Sequence, residues 1–308
     1  MPVALVFVDG VGIGARDPSR NPLARRPTLL SHFDDATGEP LPAGGTMTPL
    51  DVRMGVAGRP QSATGHTALL TGENAPALLG KHLLGYPNLK LRELLERQSI
   101  FRRLGQLDRT FAFANGYPAT YLEAIGLPHH GPPSGLEIPA QIRRRLRAAA
   151  APFAFAAAGG ILSTFAEVAA GTALTHDLTG AAARDRGMDV PPRTPAQAAE
   201  IFASLAAAAD FAMLDYFQTD DAGHARDFIA ADRALADLDT FLRSLVERLP
   251  LERHSLVVVS DHGNLEDLSS RNHTLADVAL LRFGPATLRP APARLDQLMP
   301  LLLAEAQT

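Results

Sequence analysis

Residues 3–14 read VALVFVDGVGIG, and the fold follows from this stretch. Its first six residues are apolar and valine-rich, with no polar residue alternating among them. So short and uniform a run is a strand buried on both faces, as strands of a parallel sheet are. Asp9 and Gly10 close it, which puts a carboxylate where the strand opens into a loop. Similar runs occur at 211–217 and 256–260, with weaker ones at 278–283 and 111–115. Between them, residues 89–104, 195–208, 227–248 and 294–305 repeat apolar side chains at spacings of three and four, the period of an amphipathic helix. Strands alternating with helices of this length predict an α/β fold: a doubly wound, mostly parallel sheet with helices on both faces.

The texture changes over 117–192, where PHHGPPSG at 128–135, an alanine-rich helical piece and PPRTP at 191–195 follow one another. This segment reads as a small lid within a single domain spanning 1–308. The chain of 308 residues is long enough for a large core, and its 46% hydrophobic and 20% charged content is that of an ordinary folded enzyme. A net charge of -4 gives no field that would concentrate nucleic acid or an anionic membrane, so the expected partner is a small molecule. The chain has no cysteine, so any metal is held by imidazole and carboxylate. The apolar run at the start is too short to cross a bilayer and lacks a basic stretch before it, so the expected location is cytoplasmic. Oligomeric state is not legible.

In an open parallel sheet, ligands bind beyond the carboxyl ends of the strands, so polar residues directly after apolar runs carry the chemistry. The first run delivers Asp9; the run at 211–217 is followed by TDDAGH, with Asp220 and His224; the run at 256–260 delivers Asp261 and His262; and His273 follows in RNHT. Three carboxylates and three imidazoles are the oxygen and nitrogen donors that suit Mn²⁺ or Zn²⁺, and they are enough for two ions. Two cations about 3.5–4 Å apart clamp a phosphoryl group during in-line displacement. The nucleophile candidate is Ser62 in GRPQSATGHTALLTG, where a Gly/Pro-rich loop runs into a helix-compatible segment. A serine there sits beside outward-pointing backbone N–H groups, and a coordinated cation would lower its pKa.

These motifs resemble the alkaline phosphatase superfamily, and within it phosphopentomutase and the cofactor-independent phosphoglycerate mutase. DGVGIG at 9–14 is similar to their first metal-binding loop, SATGH at 62–66 to the nucleophile loop, and DDAGH at 220–224 to the Asp-x-x-x-His pair. DHGN at 261–264 and HT at 273–274 complete the set. The resemblance implies that Asp220, His224 and His273 hold one ion, and that Asp9, Asp261, His262 and the Ser62 oxygen hold the other, with Asp221 as the alternative to Asp220. Two departures bear on substrate. The interval between Ser62 and Asp220 is too short for the large cap domain of either mutase, and Val278-Ala279 stands where those families tend to show Val-Pro. A mutase must hold its intermediate away from water, so a reduced lid favours hydrolysis.

The expected activity is therefore that of a phosphohydrolase acting on a small phosphoester through a phosphoserine at Ser62. The closest alternative is a phosphomutase, followed by a nucleotide phosphodiesterase and a non-catalytic metal-binding protein. Lys81, one of two lysines, and His176 and Asp177 in THDLTG are the expected substrate contacts. His66 reads as a packed residue, and Arg143, Arg144, Arg145 and Arg147 as a solvated helix face.

Overall fold

The computed structural model describes residues 1–308 apart from the side chain of Leu288. Six strands form the main sheet: β1 Val3–Val8, β2 Thr46–Leu50, β3 Phe111–Phe113, β6 Phe211–Tyr216, β7 Ser255–Val259 and β8 Val278–Phe283. Two short strands, β4 Gly116–Tyr117 and β5 Ser163–Thr164, pair separately. The main order is β2-β8-β7-β1-β6-β3, parallel throughout except for β8, which runs against both its neighbours.

All six residues of β1 are buried, because successive side chains enter opposite cores. Val3, Leu5 and Phe7 join Phe211, Met213, Val257 and Val259 under the helices Ser62–Thr71, Leu89–Gln98 and Leu298–Gln307. Ala4, Val6 and Val8 join Ala212, Leu214, Leu256 and Val258 under the helices Pro195–Ala207 and Phe228–Arg248. The expected doubly wound architecture is therefore present, with β1 at its centre.

Three local differences have physical causes. The helical period at 89–104 is broken at Ser99, whose ψ of 154° ends one helix while its hydroxyl accepts from Arg102 N–H to cap the next. A serine side chain competes for backbone partners in this way, and periodicity alone is blind to it. The C-terminal helix begins at Leu298 after a 3₁₀ turn over Leu295–Gln297. Strand β2 was not expected, because TMTPL is half-exposed, carries Pro49 and lies at the sheet edge, where proline is tolerated and alternation is weak.

Residues 116–190 supply the β4–β5 pair and a small cluster of Val168, Ala173, Ala183 and Val190. The helix Ala150–Ala157 in this segment is anchored in the main core, where Phe155 meets Phe101 edge-on at 5.4 Å. No helix among the described residues is long and apolar enough to cross a membrane.

Candidate metal centre

The strand order explains why distant residues meet. β7 and β6 flank β1 in parallel register, with Val8 opposite Tyr216 and Phe7 opposite Val259, so all three strands end side by side. Asp9 lies one residue beyond its strand, held by donation of its N–H to Tyr216 O at 2.9 Å. Asp261 and His262 emerge beside it from β7, and Asp220 and His224 from the helix Gln218–Ala225 after β6. His273 arrives on the loop between β7 and β8.

Two donor groups result, each with its ligand atoms within 4.8 Å of one another: Asp220, His262 and His273, and Asp9, Asp261 and His262. His224 completes the first, with Nε2 3.2 Å from Asp220 Oδ2 and 3.2 Å from His273 Nε2. His262 Nε2 lies 3.1 Å from Asp9 Oδ1 and 3.0 Å from Ser62 Oγ. The six residues expected as ligands are thus brought together, with Ser62 Oγ against His262. His262 reaches both groups, whereas the resemblance allots it to one. Asp220 rather than Asp221 joins the cluster, and Asp221 faces the cavity described below.

The donor chemistry fits divalent cations. His273 Nδ1 faces Pro60 O at 2.9 Å, and His224 Nδ1 faces Arg271 O at 2.8 Å. A ring nitrogen beside a carbonyl carries the proton, so in the neutral imidazoles both Nε2 atoms are bare lone pairs. Two lone pairs facing each other at 3.2 Å, with the Asp220 carboxylate alongside, cannot hydrogen-bond and are arranged for a cation. On the other side, both Asp261 oxygens and Asp9 Oδ1 are buried without a hydrogen-bond partner. Leaving such groups unpaired is costly, and a cation removes the cost.

The electrostatics agree. Burial, reinforced by the charges of Asp9 and Asp220, holds the Asp261 carboxyl well above its ordinary range, and burial pushes Asp9 up to about 6. Burial and the Asp9 charge also raise Asp220. His262 and His273 are pushed down to about 4, mainly by burial, so their lone pairs stay available.

A supporting carboxylate escaped the sequence analysis. Glu266 is buried and accepts from Gly12 N–H and Asn264 N–H, each at 2.9 Å, and from the Thr274 hydroxyl. It thereby ties the loop after Asp9 to the loop after His262. The signal lay in the glycines: a Cβ on Gly12 would come 2.5 Å from Glu266 Oε1, and one on Gly14 2.6 Å from its Cγ. Asn264 Nδ2 in turn donates to Asp220 Oδ1 at 2.7 Å.

Ser62 begins the helix Ser62–Thr71, and its N-cap Gln61 makes no side-chain cap bond, so the first N–H groups of the helix are available to an anion. Ser62, Asp9, His176 and Asp177 line one cavity of about 600 Å³. The Asp177 carboxylate is occupied by Gly180 N–H and Ala182 N–H, so it serves largely as a turn and helix-start acceptor. Lys81 lies elsewhere, in a neighbouring groove with Arg59, Arg271, His224 and His273. His66 is packed: its ring stacks on Phe7 at 3.9 Å, with Nε2 3.6 Å from Asp215 Oδ1. The four arginines at 143–147 are exposed and line no part of the Ser62 cavity. Tyr117, Phe217 and Arg186, which do line it, carry no local sequence signal.

Comparison with known proteins gives a consistent placement. Residues 1–298 match the family model of the Metalloenzyme superfamily. The 2,3-bisphosphoglycerate-independent phosphoglycerate mutase of Dinoroseobacter shibae is 32% identical over 109 residues, covering 33% of this chain and 22% of that protein. The enzyme of the same description from Campylobacter jejuni is 35% identical over 75 residues, 22% of this chain and 15% of its own length. The similarity thus spans about a fifth of these relatives. In structure, the PH0037 protein of Pyrococcus horikoshii aligns with a TM-score of 0.57 at 14% identity, covering 99% of this chain and 96% of that one. A cold-active alkaline phosphatase from a Shewanella species aligns with a TM-score of 0.53 at 14% identity, covering 99% of both chains. With a family match over nearly its whole length and an alkaline phosphatase-like fold, the chain belongs to the Metalloenzyme superfamily.

Proposed function

We propose that the protein is a phosphohydrolase that moves the phosphoryl group of a small phosphoester onto Ser62 and then to water. The observation that carries this reading is the position of Ser62 Oγ, 3.0 Å from His262 Nε2 and at the start of a helix, inside a cluster of acids and bare imidazole nitrogens. Asp220, His224 and His273 would hold one divalent cation, and Asp9, Asp261, His262 and Ser62 the other. When bound, Mn²⁺ or Zn²⁺ would lower the pKa of the Ser62 hydroxyl and offset charge gathering on the phosphoryl oxygens.

The chain's own residues supply the rest. Ser62 Oγ gives up its proton and attacks phosphorus in line, so that an Oγ–P bond forms while the ester P–O bond breaks and the leaving oxygen takes up a proton to depart as the alcohol. The backbone N–H groups opening the helix Ser62–Thr71 orient the phosphoryl oxygens. Water then forms a new P–O bond as the Oγ–P bond breaks, releasing inorganic phosphate and restoring the hydroxyl. The segment 117–192 acts as a modest lid: Tyr117, Phe165, Thr175 and Met188 wall the cavity without sealing it from water.

The naming of relatives as phosphoglycerate mutases favours a second reading, return of the phosphoryl group to another hydroxyl of the substrate. Metal-loaded protein is incubated with ³²P-labelled monoesters, including phosphoglycerate, and label is followed into phosphoserine, free phosphate and isomerised ester. Hydrolysis predicts transient label on wild type, none on Ser62→Ala, and accumulation of free phosphate. Isomerised ester without free phosphate establishes the mutase instead. Unchanged turnover by Ser62→Ala with metal still bound removes the nucleophile assignment.

A further inference from the structure

The walls of the Ser62 cavity are aromatic and nearly free of cations. His176 stacks on Phe217 at 4.8 Å and meets Tyr117 edge-on at 5.0 Å, while Tyr117 stacks with Tyr121 at 5.8 Å. Arg186 is the sole cation among the lining residues, against the acids Asp9, Asp177 and Asp221. A phosphoglycerate leaving group would bring a carboxylate into this aromatic space, where Asp9 is committed to the proposed cation and Arg186 is the one side-chain cation to meet it, and desolvating an unpaired carboxylate is costly. The cationic surface lies elsewhere, in the groove with Arg59, Lys81 and Arg271, and Ser62 does not line that groove.

Among the ring side chains lining this wall, His176 is an uncharged imidazole held in one tautomer. Asp215 N–H donates to Asn115 Oδ1 at 2.8 Å, so the Asn115 amide nitrogen faces His176 Nδ1 at 2.9 Å and Asp215 O at 2.8 Å. His176 Nδ1 therefore accepts, and its proton sits on Nε2. Burial also keeps this imidazole neutral by lowering its pKa.

We propose that the cavity selects a phosphomonoester whose leaving group carries an uncharged aromatic ring, held against Phe217, His176 and Tyr117 while the phosphoryl group meets Ser62. The selection rests on the phosphoryl-transfer reading for its chemistry and on the cavity walls for its specificity. A volume of about 600 Å³ admits such a group with room for water, in the range of ordinary small-ligand sites.

The test compares benzyl phosphate with glycerol 3-phosphate and 3-phosphoglycerate on the metal-loaded enzyme, the three being alkyl esters of similar leaving-group reactivity. Binding of benzylphosphonate and methylphosphonate, which cannot be cleaved, is measured in parallel by calorimetry. Burial of one ring predicts a preference of at least about tenfold for benzyl phosphate in kcat/KM and for benzylphosphonate in affinity. Phe217→Ala is expected to shrink both ratios, with Phe217→Leu keeping part of the preference. Equal or reversed ratios in wild type, or ratios untouched by Phe217→Ala in folded protein, overturn the proposal. Should no ester turn over, the phosphoryl-transfer reading fails, while the phosphonate ratio still decides what the cavity prefers.

Discussion

Replacing Glu266 by Ala should perturb the candidate metal centre without touching any side chain proposed to hold a cation. The buried carboxylate accepts from Gly12 N–H and Asn264 N–H at 2.9 Å each and from the Thr274 hydroxyl. Removing it strands three donors, two of them backbone groups that cannot turn to water. Each unsatisfied buried donor costs about 1–3 kcal/mol, which puts the loss near 5 kcal/mol, before any cost of the void. The same bonds hold the loops presenting Asp9 and Asp261-His262, so metal affinity should fall by about 10–100-fold, as for other supporting partners of metal ligands. Glu266→Gln retains one acceptor oxygen and should lose less of both. The assays are denaturant unfolding of metal-free protein and calorimetric titration with Mn²⁺ and Zn²⁺ at fixed pH. A Glu266→Ala protein within about 1 kcal/mol of wild type and with unchanged affinity would refute this account of the loops.

Chelation of wild type at neutral pH should lower the melting temperature, since cation binding stabilises only the folded arrangement of Asp9, Asp220 and Asp261; Asp261→Asn should reduce that shift, and a chelator-insensitive melting curve would count against a metal centre. Gly10→Ala should weaken metal binding and cost about 1–3 kcal/mol, because φ at Gly10 is +72° and its new Cβ would lie 2.5 Å from Asp220 Oδ1; titration and unfolding of the variant measure both. Burial lowers the His176 pKa, so its stabilising contribution is present above the unfolded-state value near 6.5 and is lost as pH falls through that value toward the folded one. His176→Gln should therefore flatten the acid side of the stability profile by up to about 1.4 kcal/mol per pH unit, and identical slopes for variant and wild type would contradict the buried neutral imidazole.

Much of this was legible in local sequence. Strand β1 announced itself because a strand buried on both faces must be apolar at every position, and Asp9 stood out because it breaks that run. The same logic singled out Asp220, His224, Asp261 and His262 as candidates, since ligands of an open parallel sheet bind beyond the carboxyl ends of its strands. Ser99 and β2 went unread because a cap and a half-exposed edge strand leave no periodic trace.

The sequence alone determined the α/β architecture and singled out the six candidate ligands and the candidate serine, because burial and metal donation each demand particular residue types at particular places along the chain. Tertiary structure alone decided that His262 reaches both donor groups and that Glu266 binds two loops together. It also decided that Lys81 lies off the Ser62 cavity and that Tyr117, His176 and Phe217 form its wall. Those are relations among residues far apart in the chain. They depend on which strands lie side by side and on which way each loop turns, and neither is written in the identity of any single residue.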